Sequence, residues 1–227
     1  KLIYIFFTGI IMLSCQKDSI NNLLNDNLTE DEIIAGLKEA LKISTDTAVK
    51  IVSAVDGYYK DDIIKIPFPE EMNTIITNIS YIPYGDQMVE QVILLMNRAA
   101  EDAANEATPI FVNAITSMTF NDAKKILYGD DSAATHYLRI TTFDSLKIAF
   151  KPKISNSLSK PLIGNVSCND AWYQLTSAYN NYYVLLYGGN SINTSLDEYV
   201  TVKALNGLFY KLYEEEKSIR KDPAARV

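Results

Sequence analysis

The stretch DQMVEQVILLMNRAAEDAANEAT, residues 86–108, decides the fold class. Its side chains at Val89, Val92, Met96, Ala99, Ala103 and Ala107 recur every three or four positions. That spacing lines one face of an α-helix, whereas a half-buried strand would alternate with a period of two. The alanine end of the stripe lets a neighbouring helix approach closely. Pro109 follows, without an N–H and with a ring that crowds the carbonyl four residues back. A kink or break is expected there, with helix resuming to about Met118.

The same period extends in both directions. Upstream, Thr29 and Glu32 form a capping box ahead of Ile33, Ile34, Leu37 and Leu41. Ser44 or Thr45 is expected to cap a second, short helix carrying Ala48, Val49, Val52 and Val55, which stops at Gly57. Residues 62–69 read as extended because Pro67 and Pro69 forbid helix, and Pro69 suits the first position of a helix to about Ile82. Downstream, Thr119 and Asp122 cap a short helix ending at Gly129. Asp131 or Ser132 then opens a helix to about Phe150, stopped by Pro152, and residues 153–168 are expected to be a loop. An aromatic-rich helix from Asp170 to about Tyr187 ends at Gly188-Gly189. Ser195 caps a last helix to about Lys221, with Val202, Leu205, Phe209 and Leu212 inward. The expected architecture is all-α: an irregular multi-helix bundle with a short extended Pro-containing segment near 62–69.

The 227 residues carry 48% apolar and 22% charged side chains and a formal charge of −7. One globular domain fits that length and composition. An acidic chain without a basic block lacks the footprint of a nucleic-acid binder or of polybasic attachment to anionic lipid. Any membrane contact must come from the first fifteen residues. There, Lys1 precedes an apolar run from Leu2 to Leu13, interrupted by Thr8 and Gly9. Twelve helical residues reach roughly 18 Å, short of the ~30 Å hydrocarbon core, so the run suits the apolar region of a signal peptide. Met12-Leu13-Ser14-Cys15 resembles the lipobox of bacterial lipoproteins. That resemblance implies a signal peptide over 1–14 and a lipid on Cys15; a polar tether over 15–28 then leads to the one helical domain over 29–227 that the periodicity predicts. The plainer alternative is an ordinary signal peptide with an incidental Cys15. Gln16-Lys17-Asp18 resembles the start of the export signal of some Bacteroidetes outer-membrane lipoproteins, or is simply polar tether. Cys15 and Cys168 are the two cysteines. Lipidation leaves Cys168 without a partner, while a Cys15–Cys168 disulfide and a nucleophilic Cys168 are the other readings.

Several blocks occur in order: Gly36-Leu37-Lys38-Glu39-Ala40-Leu41, Lys65-Ile66-Pro67-Phe68-Pro69, Met96-Asn97-Arg98-Ala99-Ala100-Glu101 and Ala133-Ala134-Thr135-His136-Tyr137-Leu138. Met118-Thr119 leads to Asp122-Ala123, and Ile219-Arg220-Lys221-Asp222-Pro223 closes the series. Together they resemble the bacterial domain of unknown function 4197 family over roughly residues 30–227. The resemblance implies a cell-envelope location and a mostly helical domain, and supplies no activity or catalytic residues.

Candidate sites are few. Asn97, Arg98 and Glu101 lie within one turn of helix, beside the alanine seam. Arg98 binding an anion with Glu101 as base is one reading. The other makes Arg98 a structural clamp on an acid from another helix, such as Asp122 or Asp130, within a polar network that includes Arg220. Trp172, Tyr173, Tyr179 and Tyr183 either line an aromatic groove for an apolar or sugar ligand or serve as core and rim. Glu214-Glu215-Glu216 reads as a solvated face. No metal site or cofactor is expected, since His136 is the single histidine and no calcium loop, P-loop or dinucleotide motif is present. The leading expectation is a non-enzymatic envelope lipoprotein with an envelope protein partner or structural role. The alternatives are a carrier of a lipid or other apolar ligand between helices, and a hydrolase using Glu101, Asp122 or Asp130.

Overall fold

The computed structural model describes residues 29–221. Residues 1–28 lie outside that range, so the segments expected to be a signal peptide and a polar tether, with Cys15 and Gln16-Lys17-Asp18, are not among the described residues.

Helix α1, Glu30–Ser53, opens on the expected capping box. The Thr29 hydroxyl accepts from the Glu32 N–H at 3.3 Å, and the Glu32 carboxylate accepts from the Thr29 N–H at 2.7 Å. The helix then runs on through Ser44 and Thr45, which were expected to cap a separate element. Their hydroxyls donate instead to the carbonyls of Ala40 and Lys42, at 2.8 and 2.9 Å. This back-bonding lets short polar side chains sit buried inside a helix. Leu41, Ala48 and Val52 fall on one stripe across the supposed boundary, and burial of that stripe favours one helix over two.

The chain leaves α1 through a tight turn, with Asp56 in the left-handed region at φ +71°. Of the segment expected to be extended, 62–69, residues 62–64 turn and residues 65–69 have no regular secondary structure. The expected helix from Pro69 to Ile82 is broken into a 3₁₀ turn at Glu70–Met72, the short α2 at Asn73–Thr77 and a second 3₁₀ turn at Ile79–Tyr81. Thr74, Ile75, Ile76 and Thr77 are β-branched and asparagines flank them, so local propensity is poor.

Helix α3, Gly85–Ala103, carries the decisive stripe, and Val89, Val92, Met96, Ala99 and Ala103 are all buried. A 3₁₀ turn at Ala104–Glu106 separates it from α4, Ala107–Thr116. The break therefore precedes Pro109. Pro109 itself sits in the first turn of α4, where its missing N–H does no harm. Helix α5, Phe120–Leu127, starts from the expected Thr119–Asp122 capping box.

The largest departure from expectation is α6, Ala133–Ser159, which runs straight through Pro152. Leu138, Thr142, Leu146, Phe150, Ile154 and Leu158 form a buried row at four-residue spacing that continues beyond the proline. Pro152 and Ile148 lie on the exposed side, so the Ile148 carbonyl that proline leaves unpaired is on the solvent side. Helix α7, Cys168–Tyr179, starts two residues earlier than expected, from a Ser167–Asp170 capping box. A π turn at Asn180–Val184 leads into the three-residue α8, Leu185–Tyr187, which ends at Gly188 with φ +81°. Helix α9, Asp197–Lys221, closes the described chain, and the Ser195 hydroxyl accepts from the Asp197 N–H at 3.2 Å.

Helix α6 is the hub of the bundle. It packs against α9, α3, α4, α5 and α7, while α1 lies on α9 and α4. The molecule is an all-α multi-helix bundle, and the described residues contain no β-strand; Ile163 and Val166 make one isolated bridge. Gly207, in the middle of α9, is fixed by packing. A Cβ there would stand 2.7 Å from Cε1 of Tyr58 and 3.1 Å from Cβ of Ile64.

The substitution Pro152→Ala tests the continuity of α6. The N–H introduced at position 152 regains a carbonyl partner and the helix interior loses its worst residue, so stability should rise by about 1–3 kcal/mol. A denaturant melt showing no gain, or a loss, would mean that helix ends before this position.

Candidate functional site

Residues 54–69 run without a regular ladder between packed helices, and buried backbone N–H and C=O groups there need partners. Side chains of α3 supply them. Asn97, fully buried, accepts from the Ile66 N–H at 2.8 Å and donates to the Ile66 carbonyl at 2.9 Å. Its amide also donates to the Ile93 carbonyl at 2.8 Å. One side chain thus does for Ile66 what a neighbouring strand would do.

One turn further along, Glu101 is 4% exposed. Its Oε1 accepts from the N–H groups of Tyr58 and Tyr59, at 3.1 and 3.3 Å. Its Oε2 takes the Arg98 guanidinium at 2.6 Å, and the other arm of Arg98 reaches Asp56 Oδ1, also at 2.6 Å. Asp56 Oδ2 holds Lys60 at 2.8 Å. The Tyr58 ring is buried, and its hydroxyl donates to the Ala204 carbonyl on α9 at 2.7 Å. Lys60, and then Arg98, hold the Asp56 carboxyl below the usual aspartate range. The arginine is therefore a clamp, but on Asp56 from the loop after α1 rather than on Asp122 or Asp130.

Those two acids and Arg220 lie elsewhere, around the α5–α6 junction. Asp122 is engaged with Thr119 in its capping box, and Asp130 with the N–H and hydroxyl of Ser132. Both carboxyls are held low by those hydrogen bonds. They border an open depression of about 720 Å³ together with Lys125, His136 and Tyr137. Arg220 donates to Glu216 at 2.8–2.9 Å and to the Ile126 carbonyl at 2.8 Å. The acids named for a hydrolase thus fall into two separate places.

Glu216 is the residue that sequence reasoning missed. It was grouped with Glu214 and Glu215 as a solvated face, yet it is buried. Its carboxylate accepts from the Ala134 and Thr135 N–H groups at 2.9 and 2.8 Å, and from the Thr135 hydroxyl at 2.8 Å. It caps the N-terminus of α6 from another helix, where orphan N–H groups and the helix dipole both favour an anion. The available signal was Arg220, one turn after Glu216 on the same helix.

The four aromatic residues do not share a groove. Trp172 is buried against Phe68, with its indole N–H on the Thr194 carbonyl at 2.7 Å. Tyr179 is buried and stacks on Tyr183, which touches the exposed Tyr81 and Tyr187. Tyr173 stands apart, 72% exposed. Cys168 is buried, and burial pushes its thiol up to about 12, which suits a packing residue and not a nucleophile. Among the described residues, no three His, Cys, Asp or Glu side chains are grouped to hold a metal ion.

Two measurements test this assignment. Asn97→Ala leaves the Ile66 N–H and C=O unpaired in the core and should cost about 2–5 kcal/mol in a urea melt; a loss under about 1 kcal/mol would contradict the clasp. For Asp56, the folded-state value is depressed. Its contribution is complete above the unfolded value near ~3.9 and lost as pH falls through the lower folded value. Asp56→Asn should therefore flatten the fall of stability between about pH 5 and pH 2. An acid limb as steep as that of the parent would rule out this role.

No curated protein and no solved structure matches the chain. A family model described as protein of unknown function, DUF4197, matches residues 27–227. That match takes in every described helix and the whole Asn97–Glu101 clasp, and the chain belongs to the DUF4197 family.

Proposed function

We propose that the chain is a lipid-anchored cell-envelope protein whose helical domain binds a partner or braces a structure, and does not catalyse a reaction. The observation that carries the non-catalytic half is the use made of the densest polar cluster. Glu101 accepts two backbone N–H groups and a guanidinium, and Asn97 makes three backbone hydrogen bonds. A base at Glu101 would have to give up the contacts that seat residues 56–59. The support for the anchor is the apolar run Leu2–Leu13 followed by Ser14-Cys15. No described helix is long and apolar enough to cross a membrane. An acylated Cys15 would hold the domain to an outer membrane through fourteen residues, 15–28, a tether of up to about 45–50 Å. A carrier of an apolar ligand calls for an enclosed apolar chamber. The depressions of about 460, 660 and 720 Å³ are open and bordered by charged side chains, which favours binding at the surface.

Growth of the source bacterium with an alkyne-bearing fatty acid tests the anchor. The parent chain should carry the label and sediment with membranes, and Cys15→Ala should lose both properties. An unlabelled parent, or equal labelling of the variant, would end the proposal.

A further inference from the structure

Between residues 62–67 and α9 lies a second depression, of about 660 Å³. That volume falls within the range of small-molecule sites. Asp62, Ile63 and Lys65 stand on one wall, and Lys203, Asn206 and Tyr210 on the other. The cations of this neighbourhood otherwise find acids: Lys60 and Arg98 pair with Asp56, and Lys211 with Asp61 and Glu214. Lys65 and Lys203 differ. Among the described residues neither has a carboxylate within 4.0 Å, and their ammonium groups lie over tyrosine rings, 4.4 Å from Tyr59 and 5.6 Å from Tyr199. In a chain of charge −7, two such lysines bordering one groove leave more positive charge than the one acid on its walls, Asp62, balances.

Asn206 adds a directed donor. Arg139, on α6, donates to its Oδ1 at 2.6 Å, and stacks 5.1 Å from the Phe143 and Phe209 rings. That bond fixes which end of the amide carries the oxygen, and leaves it two N–H donors and one further lone pair. Donors on Lys65, Lys203 and Asn206 and the Tyr210 hydroxyl thus border the groove, beside the Ile63 side chain and the Tyr210 ring. Asp62 is the one acid on the walls, so two cations stand against a single negative charge. A polyanion would be repelled by Asp62, whereas one acidic group has matching partners.

We propose that this groove binds a small organic anion: a flat apolar body bearing one carboxylate or phosphate, its head between Lys65 and Lys203 and its body against Ile63 and Tyr210. The proposal rests on the binding half of the function above and is independent of the anchor.

Isothermal titration of the full chain in a nonionic detergent tests it, with benzoate and phenyl phosphate as probes. At least one of the two should bind one-to-one. The double variant Lys65→Gln/Lys203→Gln should weaken that binding by about tenfold or more. Ile63→Glu, an exposed position on the same wall, should abolish it. Lys217→Gln, whose ammonium lies over the Tyr213 ring outside the groove, should leave it unchanged. Inorganic phosphate and phenol, each carrying half of the chemistry, should bind about tenfold more weakly than the better probe. No saturable heat from either acid, undiminished affinity in the double variant, or inorganic phosphate matching the probe would each overturn the proposal. None of those outcomes bears on fatty-acyl labelling of Cys15, so the two proposals fail separately.

Discussion

A chain segment that packs on the core of a helical bundle without helix or strand must still pair the backbone polar groups it buries. Residues 54–69 are that segment here, and the amide of Asn97 with the carboxylate of Glu101 is the answer. Because these side chains sit one turn apart on α3, they grip the segment at two points eight residues apart, Tyr58 and Ile66. The grip delivers Tyr58, Ile64, Ile66 and Phe68 into the core. It also sets the wall that faces α9 across the lysine-bordered groove. Arg98 adds a charge-assisted tie to Asp56, so the turn leaving α1 is locked in the same place.

The second closure works on the same principle from a different element. Helix α6 begins with orphan N–H groups in a buried setting, and Glu216 on α9 satisfies two of them. Arg220 balances the charge of that carboxylate and also takes up the Ile126 carbonyl near the end of α5. Four helix ends or junctions in this molecule are thus held by acid side chains: Glu32, Asp122 and Asp170 in local capping boxes, and Glu216 from afar. This use of acids accounts for much of the polar character that sequence alone offers for chemistry.

The sequence made the fold class legible, because three- and four-residue spacing in α1, α3 and α9 is strong and capping boxes marked two helix starts, Thr29–Glu32 and Thr119–Asp122. It misled where a local breaker met a long apolar row. Pro152 reads as a stop, yet Ile154 and Leu158 continue the row of Leu138, Leu146 and Phe150, and burial of that row outweighs one missing hydrogen bond. Ser44 and Thr45 misled likewise, since a hydroxyl that caps can equally bond back within a helix. Thr74 to Thr77 erred in the other direction, with apolar spacing present but propensity too weak. At the candidate site, the local Arg98–Glu101 pair was readable from its spacing. The partners Asp56, Tyr58 and Ile66 were not, because they are thirty-one to forty-three residues distant and nothing local marks them. Glu216 was hidden for the same reason, its partners lying eighty-one and eighty-two residues away.

That distance bears on how the protein is made. The Tyr58 hydroxyl waits for Ala204, 146 residues later, and α6 waits for Glu216. A nascent chain emerging from the ribosome has neither latch until its last helix is free. Loop closure over such separations is slow relative to local helix formation. The topology therefore leaves both latches unmade until the last helix has been synthesised.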